Sequence, residues 1–409
     1  MSNQRKIIND PVFGFISITD DLHYRIICHS FFQRLNRIKQ IGLCSFVYPG
    51  AQHTRFGHSL GAMHLMQEAI SQLRVKGQTI SEEEARAVTA CILMHDLGHG
   101  PFSHVLESTL VQNISHEEIS FLLMNKMNKE MNGELDLAIE IFQDKYPRRF
   151  LHQLVSGQLD MDRLDYLRRD SFFTGVTEGN IGSARIIKML NVKNDRLVVD
   201  VKGIYSTENF LMARRLMYWQ VYLHKTAIAA EKMLVNTLKR AKKLAREGND
   251  LFASPALRYF LYHSVDHSSF ETGEEALEHF IQLDDNDIWS ALKVWSKHSD
   301  KVLSLLSEGL VNRHLFKIIV ESESFEQEFI DKKIKSFAKQ YNIKEEDAAF
   351  LISSDEISTN MYNEQDDSID ILYKDGTCKD IAEASDMLNI QLLSKKVKKY
   401  YFCFLRDSK

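Results

Sequence analysis

HDLGHGPFSH, residues 95–104, brings three histidines, two glycines, one proline and one carboxylate together in ten residues. The preceding segment begins with Ser81 and Glu84 in the spacing of a capping box and continues with apolar residues, which predicts a helix. The glycines and the proline of the string predict where that helix ends. His95 and Asp96 would therefore lie at a helix C-terminus, where two neighbouring side chains can turn toward one metal ion.

Histidines are concentrated around this string. Seven of the 16 histidines lie between positions 53 and 116, and two of them belong to a second string, HTRFGHSLG, at residues 53–61. The five cysteines are widely spread and form no Cys-x-x-Cys pair, which argues against a thiolate zinc site and against a disulfide framework. Any metal would be held by imidazole and carboxylate, ligands that suit Mn²⁺, Fe or Zn²⁺ and, less well, Mg²⁺.

The composition is that of an ordinary globular protein. The 409 residues are 44% hydrophobic and 26% charged, with a net charge of -5, so neither wholesale disorder nor a general attraction for nucleic acid is expected. A local basic cluster that contacts nucleic acid stays open as an alternative. No stretch has the roughly 18 apolar residues of a membrane span, and the N-terminus lacks the apolar run of a signal peptide. We therefore expect no membrane partner and a cytoplasmic location.

The chain is predicted to be mainly α-helical, because only five prolines interrupt it. We expect two domains, a helical core with short β-hairpins at residues 1–330 and a small α+β lobe at residues 331–409. The longest helical pattern runs from about Ser206 to a stop at Gly248. β-structure is expected at residues 7–19, 197–201, 369–381 and 397–405, where turn residues separate β-prone runs.

Two of the predicted helices carry polar faces. A helix that follows Gly157 has Asp162, Tyr166 and Asp170 four residues apart on one side. In the longest helix, a stripe about 100° wide combines cations with aromatic rings, a combination that suits a nucleotide. The members of this stripe are Arg214, Tyr218, Val221, Tyr222 and Lys225. The alternative interpretation is a core-facing aromatic stripe whose two cations extend to solvent.

An ordered set of six motifs resembles the HD-domain phosphohydrolase superfamily, and within it the deoxynucleoside triphosphate (dNTP) triphosphohydrolase branch. The motifs are INDPVFG at residues 8–14, FQRLNRIKQIG at 32–42, YPGAQHTRFGHSLG at 48–61, HDLGHGPFSH at 95–104, DMDRLDYLRRD at 160–170 and YLHK at 222–225. The similarity spans about residues 6 to 240. The resemblance implies an HD-domain helical core.

The resemblance also implies roles for individual residues. A divalent metal, Mn, Fe, Mg or Zn, would be held by His58, His95, Asp96 and Asp162. The residues implied as acid, base or charge stabilisers are His99, His104 and His116, with Glu107 beside His116 where relatives carry an aspartate. The implied phosphate contacts are Arg55, Arg163 and Arg214, and the implied sugar contacts are Gln40, Tyr166, Asp170 and Tyr222.

The activity implied by the resemblance is hydrolysis of a dNTP, dGTP among the candidates, to deoxynucleoside and inorganic triphosphate by water attack at the α-phosphorus. Two alternatives stay open. One is an HD-domain phosphohydrolase that acts on another nucleotide phosphoester, and the other is a nucleotide-sensing or nucleic-acid-binding module without turnover.

Assembly and regulation are also matters of resemblance. The family commonly forms dimers and tetramers, so a homo-oligomer, most simply a tetramer, is expected. Relatives with a guanine-nucleotide activator site carry an acidic residue and an arginine where this chain has Cys28 and Asn36, so any nucleotide effector would bind differently. We expect the chain to lack the SAM domain of some relatives, because its first motif begins within the first ten residues.

Overall fold

The computed structural model describes residues 6–107, 109–272, 274–359, 368–386 and 397–406. The chain starts with an antiparallel hairpin of β1 (Lys6–Asp10) and β2 (Gly14–Ile18). Asp10 closes the turn because its Oδ1 accepts hydrogen bonds from the backbone N–H groups of Val12 and Phe13, at 2.9 Å each. The hairpin predicted at residues 7–19 is confirmed.

Helices then form the core that carries the histidine-rich strings. The elements are α1 (Asp21–Cys28), α2 (Ser30–Gln33), α3 (Arg55–Val75), α4 (Glu82–Met94), α5 (His104–Glu107), the short strand β3 (Val111–Gln112), α6 (His116–Glu130), α7 (Asp136–Phe142), α8 (Arg149–Val155), α9 (Met161–Thr174) and α10 (Ser183–Met189). The central helix, α3, packs against α4 and α9. Its buried residues are spread around the helix rather than confined to one stripe, as expected for a helix inside a core.

The boundaries of α4 follow from local sequence. The Ser81 hydroxyl accepts from the Glu84 N–H at 3.0 Å, and the Glu84 carboxylate accepts from the Ser81 N–H at 2.8 Å. This reciprocal pair is the predicted capping box. The helix ends at Met94, so His95 and Asp96 lie at its C-terminus as predicted.

The longest predicted helix is interrupted, so the prediction of one continuous helix is wrong. The structure has α11 (Ile204–Met217), a π-helical turn at Tyr218–Tyr222, and α12 (Lys225–Arg246). Residues on the two sides of this interruption do not share one helical face. The predicted stripe from Arg214 to Lys225 therefore does not exist as a single face.

Tertiary and local contacts explain the interruption. The Tyr48 hydroxyl donates to the carbonyl oxygen of Gln220 at 2.6 Å, so this carbonyl bonds a side chain outside the helix. The His224 side chain accepts from the Thr226 N–H at 3.1 Å and caps the start of α12. Neither contact can be read from helical periodicity.

The remaining elements form a second helical region, one mixed sheet and one antiparallel sheet. They are β4 (Leu190–Lys193), β5 (Arg196–Asp200), α13 (Pro255–Tyr262), β6 (Val265–Asp266), α14 (His267–Thr272), α15 (Glu274–Gln282), α16 (Asp285–Trp295), α17 (Lys301–Val311), β7 (Lys317–Glu321), α18 (Gln327–Tyr341), α19 (Glu345–Ala348), β8 (Ile352–Thr359), β9 (Asp370–Leu372), β10 (Cys378–Asp380), α20 (Ile381–Ala384) and β11 (Val397–Phe404). The β-segments predicted at residues 197–201, 369–381 and 397–405 are confirmed, and their outer ends agree with the structure to within one residue.

The predicted division after residue 330 falls inside α18. Strand β7, which precedes this position, shares a sheet of order β7-β11-β8 with two strands that follow it. Strands β9 and β10 extend a sheet of order β10-β9-β5-β4, in which β9 pairs in parallel with β5 of the N-terminal region. Secondary structure thus continues across the predicted boundary, and the two-domain division stays a prediction.

The fold class is confirmed. Helices make up 60% of the structure, so the β-elements are accessories to a mainly α architecture. Within the described ranges, none of the helices combines the length and the apolarity needed to cross a membrane.

Candidate active site

Four predicted metal ligands come together from three helices. His58 lies in the first turn of α3, His95 and Asp96 directly follow α4, and Asp162 lies in the first turn of α9. Asp162 Oδ1 lies 3.0 Å from His58 Nε2 and 3.5 Å from His95 Nε2. Asp96 Oδ1 lies 3.3 Å from His95 Nε2, and Asp96 Oδ2 lies 3.7 Å from His58 Nε2. Each of the two carboxylates thus lies within 3.7 Å of both imidazoles, Asp162 through one oxygen and Asp96 through two different oxygens.

The orientation of the two imidazoles fits a divalent ion. His58 Nδ1 donates to Asp165 Oδ2 at 2.7 Å, and His95 Nδ1 donates to the Ile92 carbonyl oxygen at 2.6 Å. The Nε2 atom of each ring is buried and has no hydrogen-bond partner among the described residues. With a proton held at Nδ1, Nε2 is the atom of each ring that would ligate a metal once the ring is neutral. His58, His95 and Asp162 each offer one donor atom within 4.8 Å of one another.

The charges in this group are strongly coupled. Burial disfavours the charged form of His58, but the neighbouring carboxylates of Asp162 and Asp165 outweigh it and raise the pKa of His58 to about 10. Burial also disfavours the charge of Asp162, yet the neighbouring imidazoles lower its pKa. A bound divalent ion would displace the imidazole protons, because imidazole ligates metals in its neutral form.

Arg55 connects Asp96 to the loop that follows it. Its Nη1 donates to Asp96 Oδ2 at 2.6 Å, and its Nη2 donates to Ser103 Oγ at 2.9 Å. Burial opposes the charge of Asp96, but His95 and Arg55 outweigh it and hold the pKa of that carboxyl well below its ordinary value. Arg55 Nε is buried without a partner in the described ranges, so one N–H of the guanidinium remains for an anion.

A row of buried ion pairs fixes the His58 ring on its Nδ1 side. Asp165, which accepts from His58, also accepts from Arg169 Nε at 2.9 Å, and Arg169 Nη1 donates to Asp10 Oδ2 at 2.8 Å. The helices α3 and α9 approach closely enough for this contact because Gly61 has no side chain. A Cβ at Gly61 would lie 1.9 Å from Asp165 Oδ1. The contacts from Asp10 through Arg169 and Asp165 to His58 thus link the N-terminal hairpin to the predicted metal ligands.

Three further predicted residues form a second group next to the first. The rings of His99 and His116 stack with centroids 4.0 Å apart, and Glu107 Oε1 lies 3.1 Å from His116 Nδ1. Burial, with the nearby Arg55, lowers the pKa of His99 to about 3, so this ring is neutral at physiological pH. The side chain of His104 lies outside the described part of the chain, so its predicted role stays a prediction.

Gly98 allows His116 to reach His99. A Cβ at Gly98 would lie 2.0 Å from the carbonyl oxygen of His116, so only glycine fits where the loop after α4 meets the start of α6. Ser120 of α6 fixes this contact, because its hydroxyl accepts from the Gly98 N–H and donates to the His95 carbonyl oxygen, at 2.8 Å each.

The predicted sugar contacts form a third group. Asp170 accepts from His53 Nε2 at 2.6 Å through Oδ1 and from the Tyr222 hydroxyl at 2.7 Å through Oδ2. The rings of Tyr166 and Tyr222 lie 6.2 Å apart in an edge arrangement. Gln40 joins the group through its backbone N–H, which donates to the His53 carbonyl oxygen at 3.0 Å. Its Oε1 is buried and has no partner in the described ranges.

The other predicted substrate contacts lie beside α9 and at the end of α11. Arg163 Nε donates to a backbone carbonyl of the loop before α9 at 2.7 Å. Arg214 Nη1 donates to Gln158 Oε1 at 3.0 Å, and its Nε is buried with no partner among the described residues. The rings of Tyr218 and Tyr222 lie 5.1 Å apart.

Several of these supporting residues have no role that a sequence pattern predicts. A signal existed for Asp165, because it follows Asp162 by three positions and so lies on the same side of α9. The contacts of Gly98 with His116 and of Ser120 with His95 join segments that are distant in sequence, so no local pattern announces them.

Comparisons with known families match the regions that hold these groups. Residues 55–170 match the HD domain, and residues 181–252 match the HD associated region. The first match contains the four predicted metal ligands, and the second contains Arg214, Tyr218 and Tyr222.

Relatives extend the similarity over most of the chain. A crystallised phosphohydrolase from Bacteroides thetaiotaomicron is 66% identical, with a TM-score of 0.96 and coverage of 98% of this chain and 100% of that chain. The uncharacterised protein YwfO of Bacillus subtilis is 32% identical over 324 residues, which are 78% of this chain and 72% of YwfO. A Dictyostelium discoideum protein, the deoxynucleoside triphosphate triphosphohydrolase SAMHD1 homolog, is 31% identical over 265 residues, which are 60% of this chain and 51% of that protein.

Fold, site and relatives together define a class. The chain belongs to the HD-domain phosphohydrolase superfamily, in the branch that includes the deoxynucleoside triphosphate triphosphohydrolases. It is a hydrolase of the HD-domain type, with His and Asp groups that could hold a metal ion.

Proposed function

We propose that this protein is a metal-dependent dNTP triphosphohydrolase, which converts a dNTP and water to a deoxynucleoside and inorganic triphosphate. One observation carries the proposal: α9 joins the metal group to the sugar group. The metal group is His58, His95, Asp96 and Asp162, and the sugar group is Gln40, Tyr166, Asp170 and Tyr222. Asp162 and Asp170 lie eight residues apart on this helix, about 12 Å along its axis, with Tyr166 between them. This distance suits a nucleotide that has its α-phosphate at one group and its sugar at the other. The named triphosphohydrolase among the relatives supports the substrate class.

The metal would be held by His58, His95, Asp96 and Asp162, a set of two imidazoles and two carboxylates. Mn, Fe, Mg and Zn are the candidates, since no thiolate is present to select a softer ion. When bound, a divalent ion polarises a phosphoryl oxygen and lowers the pKa of a water.

Arginines would bind the phosphate chain. Arg55 and Arg214 each have a buried Nε without a protein partner among the described residues, and phosphate oxygens would satisfy these donors. Arg163, at the start of α9, would contribute a third positive charge beside Asp162.

Proton transfer completes the proposed reaction. Water adds its oxygen to the α-phosphorus and loses a proton, while the bond to the sugar oxygen breaks and that oxygen gains a proton. His116 would deliver this proton, because the Glu107 carboxylate at 3.1 Å from Nδ1 orients its ring. The neutral His99 would instead serve as a hydrogen-bonding neighbour. His104 is proposed as a further acid or base on the resemblance.

The sugar would be recognised by Asp170, Gln40 and the two tyrosine rings. Asp170 and the buried Oε1 of Gln40 are acceptors suited to a sugar hydroxyl. The rings of Tyr166 and Tyr222, with Tyr218 behind them, would pack against the sugar face.

Three expectations accompany this proposal. They are assembly into a homo-oligomer, most simply a tetramer, a response to a nucleotide effector, and a cytoplasmic location. Light scattering of the purified protein, with and without nucleotides, measures the first two.

A product assay tests the proposed function. The Mn²⁺-loaded protein is incubated with each dNTP and each matching rNTP, and nucleoside, nucleotides, orthophosphate, pyrophosphate and triphosphate are resolved. We expect deoxynucleoside and triphosphate in equal amounts, lost in Asp162→Asn. His64→Gln is the matched control, because His64 lies on α3 but pairs with the exposed Glu68 instead. Orthophosphate as the product would favour another phosphoester substrate. No turnover with Mn²⁺, or with Fe²⁺, Mg²⁺ or Zn²⁺ in its place, would favour a binding module.

A further inference from the structure

Lys242 is a buried lysine to which the proposed reaction gives no role. It lies on α12 and is 5% exposed. Its Nζ donates to the carbonyl oxygens of Thr109, at 3.3 Å, and Leu110, at 3.0 Å. Burial, together with the neighbouring Arg246, lowers the pKa of Lys242 to about 8, and no carboxylate pairs with it among the described residues.

A buried ammonium without a carboxylate partner destabilises a fold. Removing a charge from water carries a large free-energy penalty, and hydrogen bonds to two neutral carbonyls offset only part of it. An apolar side chain of similar length would fill the space of the lysine stem without this penalty. The contribution of Lys242 therefore lies in what its two hydrogen bonds hold in place.

The two carbonyls belong to the segment that continues the last turn of α5, the helix that ends at Glu107. The backbone N–H groups of Thr109 and Leu110 donate to the Leu106 carbonyl oxygen, at 3.1 and 2.9 Å. The Thr109 hydroxyl donates to the Val105 carbonyl oxygen at 2.6 Å. Since α12 packs against α5, the ammonium fixes the C-terminal end of α5 from outside, directly after Glu107.

The same segment leads from Glu107 to His116. After the bonds to Lys242, strand β3 pairs in parallel with β6, and Ser115 caps α6, whose first residue is His116. Lys242 and β6 thus both attach the backbone between Glu107 and His116 to other parts of the fold. Of these two attachments, the one at Lys242 is nearer in sequence to Glu107.

We propose that Lys242 is a positioning residue for proton transfer, which keeps the Glu107 carboxylate at 3.1 Å from His116 Nδ1 by fixing the end of α5. The proposal rests on the proposed function, in which His116 delivers the proton to the sugar oxygen. A displacement of about 1 Å at a catalytic group can lower a rate by roughly 100-fold. Among the described residues, Lys242 contacts neither the metal group nor the sugar group, so substrate binding does not depend on it.

Kinetics of Lys242→Met test the proposal, because methionine keeps an apolar stem of similar length and loses the donor. For the hydrolysed dNTP and the Mn²⁺-loaded protein, we expect kcat to fall roughly 10- to 100-fold while KM changes by less than about two-fold. Lys239→Met is the matched control and should keep both parameters, because Lys239 is exposed on the same helix. A KM that rises with kcat unchanged would overturn the proposal.

A double variant shows whether Lys242 acts through Glu107. Glu107→Gln alone should lower kcat, because it removes the carboxylate that orients His116. Adding Lys242→Met to Glu107→Gln should then lower kcat by less than about a further two-fold, since both changes act on one contact. Losses that multiply in the double variant would show that Lys242 acts elsewhere and would overturn the proposal.

Hydrogen exchange without nucleotide separates this proposal from the proposed function. In Lys242→Met, exchange should quicken at the backbone amides of Thr109 and Leu110 while α3 stays protected, because the end of α5 is no longer fixed. Lys242→Gln, whose shorter amide does not reach the two carbonyls, is a second variant if Lys242→Met fails to fold. Unchanged exchange at these two amides in a folded variant overturns the proposal.

The two readouts together assign any failure. Faster exchange at the end of α5 in a protein that hydrolyses no dNTP would refute the proposed function and uphold the role of Lys242 in positioning Glu107. An active triphosphohydrolase whose Lys242→Met variant keeps the wild-type kcat would overturn this proposal and uphold the proposed function.

Discussion

The orientation of the ligands in the candidate metal centre depends on hydrogen bonds made by single side chains on the side away from the metal. His58 and His95 each use Nδ1 for a hydrogen bond within the protein, so Nε2 is the atom that faces the carboxylates of the site. For His58 the partner is Asp165, which also binds Arg169, so the ring is fixed on the side away from the metal group. The ligand types were predictable from sequence, whereas the tautomers depend on contacts that only the fold supplies.

A buried carboxylate behind the sugar group gives a pH-dependent prediction. Asp285 is 4% exposed, and its Oδ2 accepts from the backbone N–H of Lys39 at 3.1 Å, beside Gln40. Burial raises the pKa of Asp285 to about 6. The folded protein thus binds this proton more tightly than the unfolded chain does, so the stability of the fold decreases as pH rises from about 4 to about 6. Above about pH 6 the buried carboxyl is ionised in the folded protein, and the fold is destabilised by the full free energy of burying this charge.

Asp285→Asn removes the buried charge, and its side-chain amide oxygen can still accept the hydrogen bond from the Lys39 backbone N–H. We expect the variant to be more stable than the wild type at pH 7.5 by up to about 3 kcal/mol, with the difference shrinking toward pH 4.5. Urea unfolding at the two pH values measures this. Asp250→Asn is the control, because that carboxylate is 86% exposed. An advantage of Asp285→Asn that is the same at both pH values would contradict the assignment.

At the scale of elements, helix ends were predictable where the signals are local. The capping box starts α4 and the following glycines end it, so the position of His95 and Asp96 could be derived from sequence. The break between α11 and α12 could not, because it depends on Tyr48 and on a histidine cap at His224. Local propensity favours a continuous helix there, and tertiary contacts override it.

The close packing of α3 and α9 predicts opposite effects for two glycines one turn apart. In Gly61→Ala the new Cβ would overlap Asp165 and Arg169, which are buried and fixed by their ion pairs, so we expect a loss of roughly 1–3 kcal/mol or more in stability. In Gly57→Ala the Cβ would meet Arg169 Nη1 at an ordinary 3.6 Å, so the helix gains propensity and stability rises by about 0.5–1 kcal/mol. Thermal or urea unfolding measures both. Equal effects would show that the helices do not touch at Gly61.

At the scale of the whole molecule, strand pairing was the least predictable feature. Turn residues indicate the hairpin of β9 and β10, but its parallel pairing with β5 joins positions about 170 residues apart. Likewise β11 pairs with both β7 and β8, and Lys399 of β11 lies 4.2 Å from the centre of the Trp219 ring. Trp219 belongs to the π-helical turn that carries Tyr218 and Tyr222, so the C-terminal sheet contacts the segment that lines the sugar group.

Asn236 of α12 provides a test of how this sheet is attached. Its side-chain amide donates to the carbonyl oxygens of Phe350 and Ile352, at 2.8 Å each, just where β8 begins. Asn236→Ala leaves two carbonyls without these donors, so we expect a loss of about 2–4 kcal/mol in the stability of the attachment. Hydrogen exchange should then quicken in β8 and β11 while α3 and α4 stay protected, because the sheet opens as a unit. Asn249→Ala is the control, because among the described residues the side-chain amide of Asn249 donates to the Leu244 carbonyl oxygen near the end of α12 and not to the sheet. Faster exchange in α3 and α4 as well would show that the sheet and the core unfold together.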